Sequence, residues 1–452
     1  MNKNDITIDE NNKYIFRASS FYNKDGLLIK SYSWEVREPL GIIILVHGLA
    51  SHIRFGFLKQ NAKIVNNDHA VLIDGDNYYI YEGSWIEKLN KNGYSVYGLD
   101  LQESNIINDE NTKDRALVST FCNKDGLRIK SYSWIVKKAL GIIILIHGLA
   151  SHLRFGFLNK NAKIVSNEHA VLIDGDNYFL YEGSWIEKLN KSGYSVYGLD
   201  LQGHGESDGY QNLKLHIKDY DDYIYDLIDF IKSVYESIIS KKEKKQMYIR
   251  DNDIIETVPI YLVGYSMGAN IILRALQLLN KSNDNLISKL NIKAFISLAG
   301  MISIKNIGSI DSLKYKYLFL PIIKMLSYVC PTYRLRKKHS GFKRFPYIND
   351  LMNFDKLRYK KGMTNKLAYE VIKSVYILKK YINDIPQNVP ILFIHSRHDS
   401  VCAYEEVLSF YNNLYNTNKE IYTLENMDHV VTLEPENEQA LNKMLTWIKK
   451  CE

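Results

Sequence analysis

Ser266 stands inside Gly264-Tyr265-Ser266-Met267-Gly268. The residues before it, Tyr261-Leu262-Val263, are apolar and read as the end of a buried strand. Those after it place Ile271, Ile272, Ala275, Leu276 and Leu279 at helical spacing. Gly-x-Ser-x-Gly between a strand and a helix is the pattern of a nucleophile elbow, a turn sharp enough to push the serine hydroxyl out of the sheet. The two glycines stand where side chains would collide. The following helix aims its N-terminal N–H groups at the place where negative charge would develop.

A serine hydroxyl needs a base to take its proton, usually a histidine oriented by a carboxylate. In this arrangement the chain order is serine, carboxylate, histidine. The histidines downstream of Ser266 are His339, His395, His398 and His429. His429 follows the last short strand, in Asn426-Met427-Asp428-His429-Val430, where a loop returns over the elbow; it is the expected base. His339 falls in an insertion, His395 ends a strand, and His398 sits in a turn. Asp399, just past the run Ile391 to Ile394, is the expected carboxylate, because ligands gather in loops at the C-terminal ends of such strands. Asp428 is the alternative; being adjacent to His429 in sequence, it is expected to point elsewhere. The backbone N–H groups of Met267, after the nucleophile, and Leu149, after His147-Gly148 at another strand end, are candidates to hold an oxyanion. His147 itself reads as a structural turn histidine.

These residues require a sheet to carry them. Gly141 to Ile146, Tyr194 to Leu199, Val258 to Val263, Ala294 to Leu298, Ile391 to Ile394 and Ile421 to Leu424 read as strands. Helices are expected over Ser184 to Lys191 and Glu436 to Lys449, and where Ile217, Tyr220, Ile224, Leu227, Ile228 and Ile231 recur at three and four. Lys241 to Lys245 is a charge run expected in a solvated surface loop. Strands alternating with helices predict an α/β fold with a mostly parallel sheet covered on both faces. Residues 302–365 break the rhythm between two core strands, where a cap belongs. This segment holds Tyr317 to Ile323, then Arg334, Arg336, Lys337, Lys338, Lys343 and Arg344. It reads either as a lipid-facing lid with a basic rim or as a helical pair packed on the body.

Composition narrows the function classes. The 452 residues are 46% hydrophobic and 24% charged, enough for a large core. A net charge of +7 is spread along the chain, without the concentrated patch or motif that nucleic-acid binding needs; weak attraction to anionic lipid surfaces stays open. Cys122, Cys330, Cys402 and Cys451 show no metal-ligand spacing and suit a reducing compartment. The N-terminus lacks the apolar core of a signal peptide, and no apolar run reaches membrane-spanning length. A cytoplasmic protein is the expectation, with membrane association through a peripheral contact of the cap as the open alternative; neither a zinc site nor a nucleic-acid partner is indicated.

The chain repeats itself at an offset of 100 residues. Ser31 to Trp34 returns as Ser131 to Trp134, His47 to His52 as His147 to His152, and Asp74 to Tyr78 as Asp174 to Tyr178. About four in five positions between 19 and 102 match their partners. The second copy continues into Gly203-His204-Gly205-Glu206-Ser207, whereas the first breaks off at Glu103. Two copies make a tandem duplication, not a solenoid. Residues 1–102 are expected to be a truncated duplicate and 103–452 the complete domain. The first copy is read as an appendage, with competition for the same place in the sheet as the alternative.

His147-Gly148, Gly203 to Ser207, Gly264 to Gly268, Asp399 and His429 together resemble the monoacylglycerol lipase and lysophospholipase branch of the α/β-hydrolases. The insert from Arg154-Phe155-Gly156-Phe157-Leu158 through Asp174-Gly175-Asp176-Asn177-Tyr178 is similar to malaria-parasite lysophospholipase-like proteins, the PST-A group. The resemblance covers residues 120 to 450. It implies an α/β-hydrolase fold, a Ser266–Asp399–His429 triad, an oxyanion hole at Leu149 and Met267, and a cap over an acyl pocket. It also implies hydrolysis of the fatty-acyl ester of a lysophospholipid or monoacylglycerol, with no cofactor or metal. Another acyl or peptidyl hydrolase, such as a thioesterase or aminopeptidase, shares the same triad. The duplication motivates a third reading, a non-catalytic membrane-associated interaction protein. The first copy departs from the family pattern: it carries His47-Gly48 but no elbow of its own.

Overall fold

The structure is a computed structural model that describes residues 5–8, 14–22, 28–46, 56–60, 62–64, 70–72, 79–100, 115–246, 258–281, 285–304, 320–334 and 341–451. The chain divides into two compact units, residues 1–105 with 243–247 and residues 106–242 with 248–452.

The second unit is built on eight strands: β1 Leu117–Cys122, β2 Arg128–Trp134, β3 Gly141–Ile146, β4 Tyr194–Leu199, β5 Ile260–Tyr265, β6 Ile292–Leu298, β7 Ile391–Ser396 and β8 Lys419–Leu424. Their order in the sheet is β1-β2-β4-β3-β5-β6-β7-β8. β2 runs antiparallel to both β1 and β4, and every other neighbouring pair is parallel. Parallel neighbours need crossover helices, which cover both faces of a sheet. This explains why β3, β5 and β7 are wholly buried and read as apolar runs without alternation, β7 as far as Ile394.

The main helices are α1 Leu153–Phe157, α2 Trp185–Lys191, α3 Asp221–Gln246, α4 Met267–Lys281, α5 Leu320–Val329, α6 Tyr347–Phe354, α7 Asn365–Lys380, α8 Tyr404–Asn413 and α9 Asn437–Lys450. Ile142, Ile144 and Ile146 of β3 share a core with α3, α4, α7 and α8. Ile143 and Leu145 point the other way, into a core with Trp185 of α2 and Trp447 of α9. The period of two along one strand thus feeds two cores.

The expected strands and helices of this unit are present, with ends shifted by up to about two residues, apart from two departures. Ile217 and Tyr220 are not on the helix: α3 begins at Asp221, and both are buried in the turns that lead into it. Lys241 to Lys245 is not a loop, because α3 runs through it to Gln246. Lys, Glu and Gln are good helix formers, so the charge run prolongs the helix. The cap segment gives α5 and α6, with 305–319 and 335–340 outside the described residues. His339, Arg336, Lys337 and Lys338 fall there. Arg334 is no part of a solvated basic rim: it donates to the carbonyls of Gly362 (2.6 Å) and Lys214 (2.7 Å) and lies over the Tyr359 ring. Lys343 and Arg344 are exposed.

Between α1 and α2, two short hairpins pair Asn159–Lys160 with Phe179–Leu180 and Ala162–Ile164 with Ala170–Leu172. They brace the cap. Ala170 N–H donates to Asp350 (3.0 Å), and the Tyr178 hydroxyl donates to the Leu351 carbonyl (2.7 Å).

The first unit has its own five-stranded sheet, in the order Asp5–Ile8, Tyr14–Tyr22, Leu28–Val36, Tyr94–Asp100, Gly41–Val46. Its local structure copies its twin. Gly41 pairs with Tyr94 as Gly141 pairs with Tyr194, and Ser84 caps its helix through Glu87 N–H as Ser184 does through Glu187 N–H. Its burial does not. Ile42, Ile44 and Val46 are 61–66% exposed, whereas Ile142, Ile144 and Ile146 are at most 3% exposed. Among the described residues no strand pairs with the outer edge of Gly41–Val46, the place that β5 fills beside β3. His47 to His52 and Asp74 to Tyr78 of this copy lie outside the described residues.

Candidate active site

Ser266 follows the last residue of β5 and immediately precedes α4, with backbone φ of 54°. That left-handed conformation is unusual for a serine and is stabilised by its surroundings. Ser266 N–H donates to the Leu298 carbonyl at 2.9 Å, and its own carbonyl accepts from Met301 N–H at 2.9 Å. The flanking glycines are required by close approach. A Cβ on Gly264 would lie 2.5 Å from the Ala269 backbone, and one on Gly268 would lie 2.3 Å from the Ile146 carbonyl oxygen.

The loop after β8 brings His429 to this serine. His429 Nε2 is 3.0 Å from Ser266 Oγ, and His429 Nδ1 is 2.8 Å from Asp399 Oδ2. Asp399 stands in the turn after β7. Its Oδ1 accepts the amide N–H groups of Val401 (2.8 Å) and Cys402 (2.7 Å). Ser266, His429 and Asp399 are all buried. Burial opposes charge on both members of the His429–Asp399 pair. The charge and hydrogen bond of each outweigh it in the other, raising the His429 pKa and lowering that of Asp399. With Nδ1–H donated to Asp399, Nε2 is left as an acceptor facing the serine hydroxyl. The arrangement is that of a serine made nucleophilic by an oriented imidazole.

The alternatives sort themselves by contact. Asp428 points away, accepting the Ser400 N–H at 2.7 Å. His395 is buried behind Asp399, 3.3 Å from Oδ2 and 3.2 Å from the Cys402 carbonyl, and burial lowers its pKa. His398 is exposed. His147 accepts the Leu201 N–H at Nε2 (2.9 Å) and donates to the Gly148 carbonyl (2.8 Å); burial pushes its pKa down to about 3, which suits a structural role.

Gly148 lies against the elbow: a Cβ there would stand 3.1 Å from Ser266 Cβ. The next amide is that of Leu149. Met267 N–H is the first of α4. Among the described residues, neither amide has a hydrogen-bond acceptor within the protein.

Asp399, Cys402 and His429 offer donor atoms within 4.8 Å of one another, a grouping that could hold a metal ion. Two observations make the fit poor. Burial pushes the Cys402 thiol well above its usual range, so it is not a thiolate, and both Asp399 oxygens already accept protein hydrogens.

Residues 175–436, more than half of the chain, match the serine aminopeptidase S33 family. The chain belongs to that family. Its second unit has the α/β-hydrolase fold. A soluble variant of monoglyceride lipase from Saccharomyces cerevisiae, solved with a substrate analogue, superposes with a TM-score of 0.53 at 16% identity. The match covers 74% of this chain and 95% of the yeast one. A highly thermostable carboxyl esterase from Bacillus coagulans, in complex with glycerol, gives 0.50 at 16% identity, over 74% and 98%. At such identities the likeness is one of fold. No curated protein sequence matches the chain.

Around the site of this S33-family protein stand residues that motif reading passed over. Phe342, from the segment before α6, stacks on His429 with ring centres 6.5 Å apart. The Tyr265 hydroxyl donates to the His429 carbonyl at 3.2 Å. His152, the N-cap of α1, pairs with Asp355 at the end of α6 (2.9 Å), both wholly buried, which ties the cap to the loop after β3 that carries Gly148. Phe342 and Asp355 carry no sequence signal. His152 does, because it repeats His52 inside the duplicated motif.

Proposed function

We propose that the protein is a serine hydrolase that cleaves the fatty-acyl ester of a monoacyl lipid, a lysophospholipid or a monoacylglycerol. The observation that carries this reading is the unbroken relay Ser266 Oγ–His429 Nε2 (3.0 Å) and His429 Nδ1–Asp399 Oδ2 (2.8 Å) on a left-handed elbow. As Ser266 Oγ attacks the ester carbonyl, His429 Nε2 takes its proton. The N–H groups of Leu149 and Met267 receive the charge on the carbonyl oxygen. The imidazolium returns the proton to the departing alcohol. Water, deprotonated by the same nitrogen, then releases the fatty acid.

Lipid as the substrate is supported by the apolar surface of the cap. Ile322, Met325, Tyr328 and Val329 of α5 are exposed, and they would lie in the acyl region of a membrane or micelle. The neighbouring yeast monoglyceride lipase is consistent with such a substrate. The family's name favours a second reading, an aminopeptidase. That chemistry needs a free carboxylate for the substrate's amino group. Asp399, Asp428 and Glu434, the acids nearest His429, are all engaged with the protein's own N–H groups.

The test is fatty-acid release from lysophosphatidylcholine and monooleoylglycerol, run beside aminoacyl-anilides, with wild-type protein and Ser266→Ala. Ester turnover lost in Ser266→Ala at an unchanged melting temperature is the expected result. Anilide turnover without ester turnover would replace the lipase reading with the peptidase one. A folded wild type inactive on both would end the hydrolase reading.

A further inference from the structure

The loop that delivers His429 has little regular structure, yet its base must be held to a few tenths of an ångström for proton transfer. Glu434 lies five residues further on and is 1% exposed. Its Oε2 accepts the Asp428 N–H at 2.5 Å, and its Oε1 accepts the Val430 N–H at 2.7 Å. One carboxylate thus takes the amide on each side of His429.

We propose that Glu434 is a positioning residue for the general base, fixing the backbone on both sides of His429 and placing a negative charge where the imidazolium forms. The proposal rests on His429 acting as the base toward Ser266.

Two features separate this role from simple loop packing. First, a buried carboxylate is costly to maintain, and among the described residues no lysine or arginine pairs with Glu434. A neutral side chain could fill the same space without that cost. Second, the ionisable groups that face Glu434 are few. Asp428 and His429 lie on its own loop, Tyr265 comes from β5 and Tyr347 from α6. Only His429 among them takes up positive charge. Burial pushes the Glu434 pKa up to about 7, against the pull of its two amide hydrogen bonds and of His429. Its charge in turn adds to that of Asp399 in raising His429. The geometry of the clamp also needs two acceptors. A glutamine keeps one oxygen and turns an NH2 group toward the second N–H, donor against donor.

The readout is the rate of fluorophosphonate labelling against pH, which reports the free enzyme's base. It is measured on full-length wild type, Glu434→Gln, Glu434→Asp and Ser266→Ala, with melting temperatures alongside. Glu434→Gln is expected to label about 10- to 100-fold more slowly. Its acid limb is expected to move to lower pH by roughly half to one unit. Glu434→Asp, which keeps the charge on a shorter stem, should keep the wild-type limb while labelling slowly. Unchanged rate and limb in Glu434→Gln overturn the proposal. So does a slower rate with an unmoved limb, which is what packing alone would produce. If Glu434→Gln does not fold, Glu434→Ala, which also removes the charge and leaves room for water at the two amides, decides in the same way: an acid limb moved to lower pH supports the proposal, and an unmoved limb overturns it. Labelling that persists in Ser266→Ala would instead remove the proposed function on which this rests.

Discussion

Asp399→Asn is the sharpest perturbation of the relay. In the variant the side-chain oxygen stays on the amides of Val401 and Cys402, now 2.8 and 2.7 Å from Oδ1. His395 keeps the Cys402 carbonyl. The turn therefore retains its hydrogen bonds and the fold should survive. The NH2 group faces His429 Nδ1, where Oδ2 stands at 2.8 Å. A donor there turns the imidazole to the other tautomer, whose Nε2–H points at Ser266 and cannot accept its proton. A wrong tautomer in an otherwise intact triad costs about 10,000-fold in turnover, or about 5 kcal/mol of barrier. The pH profile changes as well. His429 must be neutral to act, and Asp399 raises its pKa above 6.5, so the wild-type rate should climb with pH through a value above that. In the variant the raising influence of Asp399 is gone and burial remains, so the residual activity should have its acid limb at lower pH. The assay is hydrolysis of a p-nitrophenyl ester from pH 5 to 9, with circular dichroism to check folding. A folded variant that keeps more than about a tenth of the wild-type rate would refute the relay, because no tautomer block of this kind is so mild.

Other outcomes follow from the packing. Gly268→Ala should prevent or severely impair folding of the elbow, costing about 2–4 kcal/mol, because its Cβ would meet the Ile146 carbonyl at 2.3 Å; chemical denaturation measures this. Trp185 is 3% exposed and donates to Asn437 at 2.9 Å, whereas its twin Trp85 is 68% exposed. Trp185→Ala should therefore destabilise the second unit by about 3–5 kcal/mol and Trp85→Ala by less than about 0.5, read as the shift of the main thermal transition.

Much of the site is legible in the sequence alone. The elbow announced itself because its constraints are local: a strand, two glycines where no Cβ fits, a helix. His429 and Asp399 were reachable because chain order in a parallel sheet places successive C-terminal loops at one edge. Phe342 and Glu434 were not. Phe342 sits in a cap whose path no periodicity reveals. Glu434 closes a short aliphatic run, Val430-Val431-Thr432-Leu433, and reads as an ordinary surface acid until the loop is seen folding back on it. Lys241 to Lys245 departs from its expected loop for a different reason. A run of charges implies solvent, but a solvated face belongs to a helix as readily as to a loop.

The duplication separates the two kinds of information. The two copies share about four residues in five, and they share strand register, the serine helix cap and the bonds of Asn90 and Asn190 to the strands beside them. Those features depend on hydrogen bonds within the repeated segment, so the residues alone determine them. Burial does not follow. Ile142, Ile144 and Ile146 lie in a core because α3, α4 and β5 come later in the chain and cover them; Ile42, Ile44 and Val46, in nearly the same sequence, remain open. The same division holds for the site. The elbow is local, but the 3.0 Å approach of His429 to Ser266 spans 163 residues, and only the assembled sheet brings them together.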